Sequence, residues 1–194
     1  MSFSVKEKKR KRNIASRTIH LKKSEGTSSL FDWIHSLVFA VAIVVILLTF
    51  IIRLVDVSGT SMLQTLQNKD KVIVTNFFYT PKPNDIVVIS HGAEYAEPII
   101  KRVIATEGQT ISIKNNVVKV DDKVLDEPYI QGQTDQGVIT EPLKIPEGKV
   151  FVMGDNRSVS LDSRSTEIGL IDKDNIIGKA QAVVFPFNDM KFLY

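Results

Sequence analysis

Ser61 and Lys101 are the two residues on which chemistry could be built. Ser61 lies in Ser58-Gly59-Thr60-Ser61-Met62, a few residues after the only membrane-length apolar segment, and Lys101 follows it by 40 positions in a strand-like run. A serine needs a proton acceptor before its hydroxyl is a useful nucleophile at neutral pH. A lysine serves only if burial lowers its pKa and leaves a neutral amine. The pair therefore suggests a membrane-tethered serine hydrolase whose base is a lysine.

Composition removes most competitors. The chain has no cysteine, which excludes a thiolate nucleophile, a Cys-ligated zinc site and a disulfide framework. Its three histidines are His20 in a basic tail, His35 at the edge of the apolar segment and His91 beside Gly92 in a turn-like stretch. Only His91 could serve a Ser-His-Asp triad, and an exposed loop histidine is its simpler reading. No His pair has metal-ligand spacing, and there is neither an HExxH nor a glycine-rich phosphate loop, so no metal or cofactor is expected.

Charge is unevenly divided. Residues 1–30 carry nine Lys and Arg against Glu7 and Glu25, a net of +7, which leaves −4 for residues 31–194. The high isoelectric point thus belongs to the tail, and a nucleic-acid partner loses its main support. The basic cluster, followed by Ser- and Thr-containing sequence, reads as a disordered cytoplasmic tail able to contact anionic lipid.

Residues 33–52, WIHSLVFAVAIVVILLTFII, contain no Lys, Arg, Asp or Glu. As a helix of twenty residues they would span about 30 Å, the thickness of a bilayer hydrocarbon core. Trp33 and Arg53 stand at the ends as interfacial residues do. The long basic tail, the length of the apolar stretch and the lack of a small-residue cleavage site argue for an uncleaved anchor rather than a signal peptide. The organisation expected is a tail at 1–30, an anchor at 31–54 and an extracytoplasmic domain at 55–194, with the N-terminus cytoplasmic by the positive-inside rule.

After Val55 the chain becomes short β-branched runs between turn residues, so a mainly β domain is expected. Candidate strands are 71–74, 86–89, 99–104, 150–153 and 182–185. A meander runs through 110–114, Asn115-Asn116, 117–120, Asp121-Asp122 and 123–125, and residues 131–140 read as a loop. Alternation puts Ile99, Lys101 and Val103 on one face of their strand and Ile100, Arg102 and Ile104 on the other. From that segment alone, two surface cations with snorkelling stems are the simpler reading, although apolar neighbours permit burial. Residues 150–153 break into Gly154-Asp155-Asn156-Arg157 and run on to Ser160, Asp162, Ser163 and Arg164. That density of polar groups suits either a surface loop or a hydrogen-bonded scaffold around a buried site.

Taken together, Ser58-Gly59-Thr60-Ser61-Met62 with Thr65-Leu66, Asp85-Ile86-Val87-Val88, Lys101-Arg102-Val103-Ile104 and the Gly154 to Arg164 segment resemble the ordered boxes of bacterial type I signal peptidases, over residues 30–185 and including Gly178-Lys179-Ala180. The resemblance implies a coiled antiparallel β-sheet domain behind a single transmembrane helix, acting on preprotein signal peptides at a phospholipid membrane and cleaving after a small-x-small site such as Ala-x-Ala. It implies Ser61 as nucleophile and Lys101 as general base. Ser160 would orient the lysine amine, Asp162 and Arg164 would brace the site with Gly154, Asp155, Asn156 and Arg157, and Met62, Ile99 and Ile100 would meet the substrate.

This chain departs from the pattern in three places. Gly59 stands where some members have a serine two positions before the nucleophile, which leaves the second oxyanion donor unassigned. Gln64 replaces a proline, and Ala105-Thr106-Glu107-Gly108 replaces a commoner Gly-x-Pro-Gly. Two other readings share features with this one. A self-cleaving repressor-type Ser-Lys protease would need a DNA-binding module for which residues 1–30 are too short. An anchored, non-catalytic binding domain would have no need of Ser61 and Lys101 together.

Overall fold

Paired Asn and Asp residues set the tightest turns. Asn115 and Asn116, then Asp121 and Asp122, all have φ between 51 and 63°, the left-handed pair that a two-residue hairpin turn requires and that these side chains tolerate. The computed structural model describes residues 29–46, 48–49, 51–90 and 97–193. His20 and His91 lie outside the described residues. The chain divides into two compact units, residues 1–50 and 51–194.

In the first unit, Ser29–Ile46 is a helix long and apolar enough to cross a membrane. Its polar side chains turn back on their own helix: His35 Nδ1 meets the Phe31 carbonyl at 2.9 Å, and Ser36 Oγ donates to the Asp32 carbonyl. Such bonds satisfy polar atoms within the helix and lower their cost in an apolar surrounding.

The second unit opens with β1 (Ile52–Asp56), so the strand takes the last three residues of the stretch expected to be anchor, Ile52, Arg53 and Leu54. Pairing decides this, because Ile52 to Asp56 form an antiparallel ladder with β2 (Lys71–Thr75). The remaining strands are β3 (Ile86–Ile89), β4 (Ile99–Thr106), β5 (Thr110–Lys114), β6 (Val117–Val120), β7 (Lys123–Val124), β8 (Leu143–Lys144), β9 (Lys149–Met153), β10 (Ile171–Asp172), β11 (Ile176–Phe185) and β12 (Lys191–Phe192). One sheet has the order β1-β2-β11-β3-β4-β9-β10, with β12 also on β11, and a smaller one has the order β7-β6-β5-β8. All the strand pairings are antiparallel.

The unbroken apolar runs of β3 and β9 follow from burial on both faces. Ile86 and Val88 enter one cluster with Leu66 and Val72, while Val87 and Ile89 enter another with Val103 and Val152. Phe151 and Met153 join Ile104, Ile111 and Val118 in a third, beneath the small sheet. The sheet coils at bulges: β11 shifts register between Ala180 and Ala182 and between Val183 and Phe185, and β4 between Val103 and Ala105. At Gly178 a Cβ would stand 2.5 Å from the Thr75 carbonyl oxygen, so only glycine lets β11 pass there.

The two cations of β4 are both buried, which overturns their reading as surface charges. Lys101 is 4% and Arg102 3% exposed. Arg102 is held by Asp155 through Nε at 2.8 Å and Nη2 at 2.7 Å, and it gives Nη1 to the Asn84 carbonyl. Asp155 also accepts from Thr65 Oγ1. This bidentate pair ties the middle of β4 to the end of β9 and to the segment after Ser61. Removing one partner of a buried ion pair strands the other, at about 3–5 kcal/mol. Asp155→Ala is therefore expected to destabilise the protein by about that amount in urea denaturation, whereas Asp56→Ala, at the exposed Lys71 pair, should cost under about 1 kcal/mol.

Candidate active site

Ser61 opens a single helical turn. Leu66 N–H donates to the Met62 carbonyl at 2.8 Å and Leu63 N–H to Thr60 at 3.2 Å. Met62 and Leu66 pin the turn by inserting into the core beside Val72 and Val88. Within it Gln64 has φ +78°. Proline, fixed near −65°, could not adopt that conformation, so Gln64 changes the path of the turn and not merely its stiffness.

Lys101 sits on β4 opposite Val87 of β3, and its Nζ lies 2.8 Å from Ser61 Oγ. Burial pushes the amine down to about 8, against the pull of Asp162 and Asp155 towards the charged form and with the help of Arg164. At pH 7 about one lysine in ten is then neutral, a few hundredfold more than for the free side chain. A neutral amine at this distance is able to accept a proton from the Ser61 hydroxyl, the first requirement of a serine nucleophile.

The Gly154–Arg157 turn grips the backbone on which Ser61 rides. Asn156 N–H donates to the Ser61 carbonyl at 2.9 Å, and its Nδ2 donates to the Thr60 carbonyl at 3.2 Å. Gly154 is obligatory here, since a Cβ would lie 2.5 Å from the Ser61 carbonyl oxygen and 2.3 Å from Ser160 Oγ. Asp162 accepts from Gly154 N–H at 3.1 Å and holds Arg164 through Nε and Nη2, each at 2.8 Å. Burial alone would raise the Asp162 carboxyl, but the Arg164 guanidinium and the Gly154 amide hold it below its ordinary value.

Ser160 differs from expectation. Its buried Oγ does not form the bond expected to the Lys101 amine and instead lies beside the Asp162 carboxylate, which it helps to hold below its ordinary value. Among the described residues the Lys101 amine donates to Ser61 instead. Met62, expected to meet the substrate, is only 3% exposed and belongs to the core. Ile99 and Ile100 are half-buried. They lie where β4 pairs with β3 on one edge, while β9 takes the other edge only from Arg102 onward. The edge of β4 beside Ile99, Ile100 and Lys101 is thus not taken by β9. Gly59, at φ +92°, spends its N–H on Asn68 Oδ1 at 3.1 Å and is not a free donor.

Sequence reasoning missed Glu127, Tyr129 and Thr134. Arg157, fully buried at its side chain, forms an ion pair with Glu127, donates to Thr134 Oγ1 at 2.8 Å and returns Nε to the Gly154 carbonyl. Tyr129 stacks 3.8 Å from the Arg102 guanidinium. The one usable signal was electrostatic, in that a buried Arg157 needs a carboxylate partner.

The family described as "Signal peptidase, peptidase S26" matches residues 30–185. A signal peptidase I of Bacillus licheniformis is 34% identical over 88% of this chain and 96% of its own length. Signal peptidase I S of Bacillus subtilis is 34% identical over 87% and 98%. A solved signal peptidase I of Enterococcus faecalis shares 24% identity over 52% of this chain and 97% of its own, with a TM-score of 0.42. With a match over most of its length and relatives at this identity, the chain belongs to the signal peptidase family, peptidase S26.

Proposed function

We propose that this enzyme removes N-terminal signal peptides from exported preproteins, using Ser61 as nucleophile and Lys101 as general base. The observation that carries the mechanism is the 2.8 Å approach of a buried, pKa-lowered lysine amine to the serine hydroxyl. Lys101 takes the Ser61 proton as Oγ attacks the scissile carbonyl, then passes that proton to the leaving amine. A water, deprotonated by the same amine, resolves the acyl-enzyme. The Ser61 N–H faces the oxyanion in this scheme, and Ser58 or Thr60 supplies the second donor that Gly59 lacks.

The substrate adds as a strand along the edge of β4 at Ile99–Lys101, where backbone pairing gives affinity and alternate side chains enter shallow pockets. Small residues at two alternate positions, as in Ala-x-Ala, suit such pockets. The helix anchors the protein with residues 1–30 in the cytoplasm and the β unit, from about residue 55, outside. Asp162, Arg164 and the Gly154–Arg157 turn act as positioning groups, keeping the Ser61 backbone and the field at Lys101 in place.

Cleavage of a preprotein bearing an Ala-x-Ala site, by the full chain in detergent, tests the dyad. Ser61→Ala and Lys101→Met should each lower kcat by at least about 10³-fold, and together scarcely more, because they act as one unit. Full activity in either variant would refute the assignment. The pH profile adds a second check. With the active amine neutral, kcat/KM should rise about tenfold per pH unit below about 8 and level off above it. A profile flat from pH 6 to 9 would exclude Lys101 as the base.

A further inference from the structure

Gly59, two residues before Ser61, is the loosest point of the segment that carries the serine. It has no side chain, its φ of +92° lies where glycine alone sits without strain, and a Cβ there would meet no atom within 4 Å. Packing does nothing to hold it. One contact does: Gly59 N–H donates to Asn68 Oδ1 at 3.1 Å.

Asn68 is itself fixed by the turn on which it rides. Val57 N–H donates to the Asp70 carbonyl at 2.8 Å, and Lys69 N–H donates to the Val57 carbonyl at 2.9 Å. The buried Asp70 carboxylate closes the turn by accepting from Gln67 N–H at 2.8 Å, and Lys69 takes φ +77°. These main-chain bonds stop at Val57. The Asn68 carboxamide adds one more, to Gly59, with a side-chain oxygen standing in for a backbone acceptor.

Asn156 holds the other end of the same segment, through Nδ2 to the Thr60 carbonyl and through its N–H to the Ser61 carbonyl. In a trans peptide the N–H points opposite to the C=O. A Thr60 carbonyl turned towards Asn156 therefore aims the Ser61 N–H away from it. Among the described residues neither the Thr60 nor the Ser61 N–H has a hydrogen-bond acceptor. Two adjacent open donors beside the nucleophile are what a developing oxyanion requires. Their shared aim depends on the Gly59 peptide keeping its orientation.

We infer that Asn68 is a positioning residue for the reaction at Ser61: by holding Gly59 N–H it keeps the Thr60 and Ser61 N–H groups directed at the oxyanion, with Thr60 N–H as the second donor. Asn68 thus makes up for the side chain that position 59 lacks. The inference rests on Ser61 being the nucleophile. Charge on that oxygen develops in the transition state, so loss of the alignment lowers kcat and leaves KM in place.

The full chain in detergent, as wild type, Asn68→Ala and Asn68→Asp, would be assayed on a preprotein with an Ala-x-Ala site and unfolded in urea. Each form would also be titrated with a peptide aldehyde ending in Ala-x-Ala, whose adduct with Ser61 places an oxygen in the oxyanion site, and with the matching peptide amide, which forms no adduct. Asn68→Ala should lower kcat by about 10–100-fold with KM within about twofold, somewhat less than the loss of a donor outright. Asn68→Asp keeps the accepting oxygen and should stay within about fivefold of wild type. Aldehyde affinity should fall with kcat/KM while amide affinity holds. Wild-type kcat in Asn68→Ala would overturn the inference. So would a raised KM at unchanged kcat, which marks a substrate contact, or equal losses in Ala and Asp, which mark the carboxamide N–H groups as the ones needed. A lowered urea midpoint that accounts for the lost activity would make Asn68 a structural residue and overturn it too. Full activity of Ser61→Ala would instead overturn the dyad, whatever the Asn68 variants do.

Discussion

Taking a lysine ammonium out of water costs several kcal/mol, and that cost loosens the proton on Lys101. The rest of the site is arranged so that this happens near neutral pH rather than far below it. Full neutralisation at low pH would make the amine a poor proton acceptor, and full charge would make it none at all. Asp162 and Asp155 pull the amine towards its charged form while burial and Arg164 push the other way, and the outcome is about 8. Each of those carboxylates is itself held by an arginine, Asp155 by Arg102 and Asp162 by Arg164. The field at Lys101 is therefore set by paired charges whose positions are locked.

These pairs also hold the geometry. Buried ion pairs are a weak source of net stability, since desolvation offsets most of their attraction. Their directional bonds serve a different end here. Asp155 joins β4, the end of β9 and Thr65, so the strand carrying Lys101 and the turn carrying Ser61 are fixed to one carboxylate. Arg157 and Glu127 secure the Gly154–Arg157 turn, whose Asn156 holds the Ser61 backbone. Gly154 permits the close approach, because any side chain there would occupy the space of the Ser61 carbonyl and the Ser160 hydroxyl. A shift of about 1 Å at such a point is enough to cost about a hundredfold in rate.

Much of the architecture was readable because it rests on local periodicity. The runs at 71–74, 86–89, 99–104 and 150–153 fall within β2, β3, β4 and β9, and both Asn and Asp turns of the meander lie where their left-handed residues demand. The short strands β8, β10 and β12, of two residues each, and the first half of β11 were not readable. Two or three residues carry no period, and only a partner strand defines them. The same holds for β1, where Ile52 and Leu54 continue the hydropathy of the helix but stand opposite Thr75 and Ile73 in the ladder.

The residue types at the site, and the exclusion of thiolate and Cys-ligated zinc chemistry, follow from composition, because those depend only on which groups exist. So does the apolar segment, whose length needs no partner to be recognised. Whether Lys101 and Arg102 face water or the interior did not follow, and the simpler reading of that strand was the wrong one. Burial is a property of what packs across a strand, and β9 and the Gly154–Arg157 turn arrive from 50 residues away in sequence. Ser160 shows the same limit in reverse, since its hydroxyl stands in the buried site without the bond its spacing had promised. Side-chain chemistry is local, but desolvation and hydrogen-bond geometry are set by neighbours distant in the chain, and only the assembled sheet brings those neighbours together.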